Sequence, residues 1–266
     1  MQNTFAMTTQ PTPPAFGPRQ KKQLTRRWSG LPLAAHIVIR GSIVMLAMMG
    51  VLGVFTHIDR LPEGEKPWGE AALDEGIGDF TYDHIAALRE DSAACFAALD
   101  GSNIDYSAME PRATGGQCGW QDGVRIDRSN IAYATPIPQV ASCALAAALY
   151  VWEREVVLPA AREHLGSDPV EIIHYGTYAC RRVNNSQAGD WSEHAGANAI
   201  DIAGFRLEDG RVIGVRHWDE DDERATFLRE VRDGSCPLFR SVLGPDYNEE
   251  HADHFHLDMG EWEICS

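Results

Sequence analysis

AIDIAGFRLEDGRVIGVRHW, residues 199–218, reads as two β-rich runs joined at Asp209-Gly210. An Asp-Gly pair between apolar runs is the strongest short-range signal for a hairpin, because the tight hairpin turns need residues that tolerate positive φ. A hairpin pairs its strands antiparallel. Around it, DERATFLREVRDG (222–234) has helical spacing of its apolar residues, and FRSVL (239–243) and HFHLDM (254–259) read as short strands. Upstream, VEIIHYGTY (170–178) reads as another strand.

Before that strand, PQVASCALAAALYVWEREVVLPAAREHLG (138–166) has helical periodicity interrupted at Pro159, which predicts two helices or one kinked helix. Helices and antiparallel strands alternate irregularly, so the fold class is α+β, a small antiparallel sheet flanked by helices. No internal repeat, GxGxxG phosphate loop or GxSxG nucleophile elbow is present.

Charge is divided unevenly along the 266 residues. Residues 1–60 carry Arg19, Lys21, Lys22, Arg26, Arg27, Arg40 and Arg60 against Asp59 alone, leaving 16 basic against 38 acidic residues in the remainder. Such an acidic body is a poor partner for nucleic acid or an anionic lipid surface. Between the two regions, GSIVMLAMMGVLGVFTH (41–57) is an apolar run; with Arg40 snorkelling, residues 37–57 reach the roughly 20 needed to span a bilayer. The positive-inside rule then predicts a disordered basic cytoplasmic tail over 1–36, a transmembrane signal anchor over 37–57 and an exported body, giving a single-pass inner-membrane protein with a periplasmic domain. A cleaved signal peptide and a buried core helix are the alternatives, although no small-x-small cleavage site follows Phe55. Residues 58–79, with RLPEGEKPWGE, read as a linker, and 80–266 as the folded domain.

All six cysteines (Cys95, Cys118, Cys143, Cys180, Cys236 and Cys265) follow the apolar run. An even count in an exported domain suggests disulfides, and no CxxC spacing suggests a cysteine metal site. Pairing of sequence neighbours gives 95–118, 143–180 and 236–265.

DHFHLD (253–258) packs two histidines among carboxylates, and SEHAGANAID (192–201) supplies a partner. His194 and Asp201 are seven apart, which on a continuous strand would put them on opposite faces, so Gly196 is expected in a turn that returns His194 over the strand bearing Asp201. With His254 or His256 this makes a two-histidine, one-carboxylate set. Three protein ligands with an open fourth position are the catalytic form of a zinc site, and Asp253 could take up a proton. A lone His-x-His is more often a solvated or packed strand pair than a ligand pair.

These motifs resemble the bacterial extensin-like C-terminal domains, which share them with the zinc D-Ala-D-Ala peptidases and murein endopeptidases. The peptidase pattern is Ser-x-His-x-x-Gly-x-Ala-x-Asp followed by Asp/Glu-x-x-His or His-x-His. Ser192, His194, Ala199 and Asp201 match it, as do Asp253, His254 and His256, over roughly residues 80–265. The resemblance implies that His194, Asp201 and His256 bind zinc. It also implies that Asp253 is the general base, that His254 donates a hydrogen bond in the transition state, and that Arg181 or Arg182, with Ser192, contacts the peptidoglycan peptide. The pattern's glycine is Ala197 here; a positive φ at that position would cost about 1 kcal/mol. Asp253 and His256 differ in strand parity, so Asp253 should precede the strand or lie in a bulge.

For Asp258, His251, Tyr175, Tyr178 and Trp191 the plainer readings are a strand-end hydrogen-bond partner, a capping or supporting histidine, and three core aromatics. Two function classes follow: a periplasmic zinc amidohydrolase of peptidoglycan, and a non-catalytic envelope protein whose zinc site stabilises a wall-binding surface.

Overall fold

A computed structural model of the chain describes residues 32–134 and 140–266, so most of the tail read over 1–36 lies outside the described residues. The chain divides into two units, Met1–Thr56 and His57–Ser266. The first contains most of α1 (Leu33–Ile58), a helix of 26 residues with no buried side chain. At about 1.5 Å per residue it exceeds the roughly 30 Å apolar thickness of a bilayer. Among the described residues it is the single helix long and apolar enough to cross a membrane, and it begins four residues before the expected span.

The second unit is α+β. Its elements run α2 (Thr81–Ala87), α3 (Ser92–Asp100), β1 (Asp105–Ala108), β2 (Arg112–Gly115), β3 (Cys118–Trp120), β4 (Gly123–Arg128), β5 (Ala132–Tyr133) and β6 (Val140–Ser142). They continue as α4 (Cys143–Trp152), α5 (Leu158–His164), β7 (Pro169–Gly176), β8 (Ala199–Leu207), β9 (Val212–Gly214), α6 (Glu223–Ser235), β10 (Ser241–Leu243), β11 (Phe255–Asp258) and β12 (Ile264–Cys265). The main sheet has the order β12-β10-β11-β8-β7-β5, with β9 also pairing β8; β1-β4-β6 form a second sheet and β2-β3 a hairpin. The β8–β9 pairing is the hairpin read at Asp209-Gly210, and Gly210 has φ +91°. β8 lies between β11 and β7, antiparallel to both. This central position makes it the carrier of the site.

All ten residues of α4 are buried. Its sequence is apolar on every face, as a helix enclosed on all sides requires. The expected interruption at Pro159 takes the form of a wide π-helical turn, Glu153–Val157, that leads into α5. A proline lacks the N–H of a regular turn, and a wider turn absorbs the defect without ending the helix. Glu153, fully buried in this turn, accepts hydrogen bonds from Ser129 Oγ (2.6 Å), the Ile131 N–H (3.1 Å) and Tyr133 Oη (2.5 Å). Burial pushes its carboxyl up to about 7, against the pull of those donors. An acid whose folded pKa is raised contributes most stability below its unfolded value, and loses it as pH rises toward the folded one. Relative to Glu153→Gln, the wild type should therefore lose about 3 kcal/mol of unfolding free energy between pH 4.5 and 8. Denaturant curves across that range test this, and parallel profiles for the two proteins would refute it.

The cysteines all pair, as Cys95–Cys143, Cys118–Cys180 and Cys236–Cys265. Only the last is a neighbour pairing, so 95–118 and 143–180 are corrected. Cys95 on α3 lies 6.1 Å, Cα to Cα, from Cys143, because α3 packs on α4. Cys118 starts the return strand of the β2–β3 hairpin and lies 5.3 Å from Cys180. Packing across elements, not distance along the chain, selects the partners.

The stretch read as a linker is largely folded onto the body. Lys66 and Leu73 are buried, the Phe80 N–H donates to the Gly64 carbonyl at 2.8 Å, and Arg154 donates to the carbonyls of Leu73 and Glu75. Its Gly, Pro and charged composition masked these long-range contacts.

Candidate metal centre

Asp201 and His256 are direct cross-strand partners in the β8–β11 register. Such partners bring side chains on one face within contact distance, and His256 Nδ1 lies 3.0 Å from Asp201 Oδ1. His194 arrives by the expected return. Glu193–Gly196 form a short 3₁₀ turn and Ala197 takes φ +54°, ψ +30°, while Gly196 does not have a positive φ. Thus the position where the family pattern has glycine does adopt the left-handed conformation, at a cost of about 1 kcal/mol. Backbone hydrogen bonds from Ala197 N to His194 O (3.2 Å) and from Ser142 N to Ala197 O (2.7 Å) hold it there.

His194 Nε2 is then 3.2 Å from both Asp201 Oδ1 and His256 Nδ1. The other nitrogen of each ring is committed. His194 Nδ1 donates to the Thr177 carbonyl at 3.1 Å, and His256 Nε2 donates to Asp258 Oδ2 at 2.9 Å. Locking one nitrogen fixes the tautomer and aims the other inward. One nitrogen of each imidazole and one carboxylate oxygen therefore converge on a single point. A proton can bridge only one of the three gaps, whereas one dication fills them all. Zinc–nitrogen bonds of about 2.0–2.1 Å place tetrahedral ligand atoms roughly 3.3 Å apart, close to what is found here. Among the described residues, His194, Asp201 and His256 are one of three groups whose potential ligand atoms all lie within 4.8 Å of one another. Of the others, Cys95–Asp122–Cys143 contains a disulfide, and Glu163–His164–Glu230 has both glutamates exposed.

Electrostatics agree. Burial works against a charge on Asp201, yet its bonds to His194 and His256 hold the carboxyl far below its ordinary range. Burial also opposes protonation of His256, but Asp201 and Asp258 outweigh it and raise the imidazole to about 9. The pocket is built to accommodate positive charge.

Asp253 precedes β11, as parity required. Its Oδ1 accepts from His254 Nδ1 at 3.1 Å and its Oδ2 from Tyr175 Oη at 3.0 Å. The His254 hydrogen bond, ahead of the others, lowers the Asp253 pKa. His254 Nε2 consequently faces the triad, 3.7 Å from Asp201 Oδ1. Asn248 caps the turn, its Oδ1 accepting from the His251 N–H at 3.2 Å and from His251 Nδ1 at 2.6 Å, and the His251 ring lies against those of His254 and His256. Burial, then the neighbouring imidazoles, push it down to about 4.

The two candidate arginines part company. Arg182 stacks over Trp191 at 4.5 Å and donates to the Gly189 carbonyl, so it serves its own loop. The half-buried Arg181 has no side-chain hydrogen bond or ion pair among the described residues. Ser192 starts the His194 turn, its carbonyl accepting from the Ala195 N–H at 2.8 Å, while its hydroxyl makes no cap bond. Asp258 is the expected strand-end partner, bound to a ring of the triad. Tyr178 packs edge-on to Trp120, but Tyr175 is not core: it is 49% exposed and bonded to Asp253. Arg216, just after β9, adds its charge beside Tyr175 and Asp253 and was not singled out from sequence. No motif marks it.

Fold and cluster together define an α+β domain whose central antiparallel strand carries a two-histidine, one-carboxylate site. The chain belongs to the family described as extensin-like protein C-terminus, whose sequence model matches residues 93–266. That span contains every site residue named above. No curated protein and no solved structure matches the chain.

Proposed function

We propose that this chain is a membrane-anchored, periplasmic zinc hydrolase that cuts a peptide bond in peptidoglycan, of carboxypeptidase or endopeptidase type. The observation that carries the proposal is the convergence of His194 Nε2, Asp201 Oδ1 and His256 Nδ1, each imidazole locked from behind by a hydrogen bond to Thr177 or Asp258. Substrate class rests on the resemblance of SEHAGANAID and DHFHLD to the zinc D-Ala-D-Ala peptidases, and export on the apolar α1 and the paired cysteines. Bound at the triad, zinc would polarise a substrate carbonyl and bring a water near ionisation at neutral pH.

The protein's own groups supply the remainder. Asp253 and His254, joined by a hydrogen bond at the edge of the triad, accept the proton of the attacking water and return it to the leaving amine. Arg181, which has no side-chain partner among the described residues, is a cation available to a substrate carboxylate.

The test is metal analysis of the purified full chain together with digestion of muropeptides, read by mass spectrometry. One zinc per chain and peptide release, both lost with chelator and restored by zinc, are expected. Zinc without cleavage would overturn the hydrolase and favour an envelope-binding protein with a stabilising metal; absence of zinc would overturn both.

A further inference from the structure

The end of β7 serves the site twice. Thr177, just beyond it, holds His194. In the β7–β8 register, His174 pairs with Ile202 and Gly176 with Asp201, so β7 advances two residues against one of β8 and Tyr175 is the extra residue of a bulge. Gly176 has φ +124°, a conformation that a side chain would disfavour. A bulge re-aims the side chain that it carries. At this bulge His174 is buried, 3% exposed, and Tyr175 faces outward, 49% exposed, beside DHFHLD. The Tyr175 ring meets His254 edge-on at 5.6 Å, and its hydroxyl donates to Asp253 Oδ2 at 3.0 Å.

We infer that Tyr175 is a positioning residue of the centre: its hydroxyl fixes the exposed Asp253 carboxylate, so that Asp253 Oδ1 accepts the hydrogen bond from His254 Nδ1–H and His254 Nε2 is held toward the triad. Without this restraint, a carboxylate 51% exposed would exchange its partner with water. The inference rests on the hydrolase reading for its kinetic consequence, but not for its geometry.

Tyr175→Phe keeps the ring over His254 and deletes the hydroxyl alone. In the zinc-loaded full chain it should lower kcat on muropeptides about tenfold, the usual scale for one hydrogen bond to a charged group, with KM within about twofold. Zinc content and thermal midpoint serve as controls for folding. Nitrogen NMR of labelled histidine reads the positioning directly. His254 should be protonated at Nδ1 and bare at Nε2 in the wild type, and a mixture of both tautomers in the Phe variant. An unchanged tautomer, or a change in KM alone, would overturn the inference and leave Tyr175 as a wall of the cleft. If the wild type cleaves nothing, the hydrolase reading falls, and the tautomer comparison still decides the role of Tyr175.

Discussion

His256→Ala should take the chain from one zinc to none at micromolar metal, and its thermal midpoint should no longer respond to chelator. The side chain is one of three converging donors, directly opposite Asp201 in the sheet. A ligand that binds only the folded state stabilises it by about 2.7 kcal/mol at a hundredfold excess over its Kd. For a domain of this size that corresponds to roughly 5–10 °C. The wild type should therefore lose about that much on chelation while the Ala variant loses nothing. Asp258→Asn should fall between them. It leaves all three donors but removes the carboxylate that holds His256 Nε2 at 2.9 Å, and loss of such a partner typically weakens metal binding about 10- to 100-fold. Full zinc retention by His256→Ala would mean that the convergence is only a salt-bridged strand pair.

The legible parts of this molecule are those where local pattern and function coincide. The Asp209-Gly210 hairpin and the alternation of FHLD along β11 fixed which residues share a face, and the odd spacing of His194 and Asp201 demanded the turn that is found. The turn's left-handed residue is Ala197, which propensity alone would have passed over in favour of Gly196. What stayed hidden depends on contacts between distant elements. Cys95 and Cys143 meet because α3 packs on α4, and residues 58–79 look like a linker until Arg154 gathers the carbonyls of Leu73 and Glu75. Tyr175 was read as core because a large aromatic on a strand is usually buried, yet along β7 Ile172 and His174 face inward and Tyr175 falls on the outward face, where its phenol reaches Asp253.

The second large effect concerns Asp253→Asn. Asp253 lies outside the converging triad, its oxygens bonded to His254 and Tyr175, so the substitution should keep one zinc per chain and the thermal midpoint. Asn retains the shape but cannot carry a proton, and removing a general base typically costs about 10²- to 10⁴-fold in rate. Muropeptide cleavage by the Asn variant should fall by that factor. His254→Ala should give a loss of similar size, because the proton path from Asp253 to the triad runs through the imidazole that faces Asp201 at 3.7 Å. If the two residues act as one unit, the double variant is no slower than the worse single one, since removing either already disables the pair. If instead the losses multiply, Asp253 and His254 act on separate steps, and the hydrogen bond between them is structural. Loss of zinc from Asp253→Asn would place Asp253 among the ligands and transfer the proton-handling role to His254 alone.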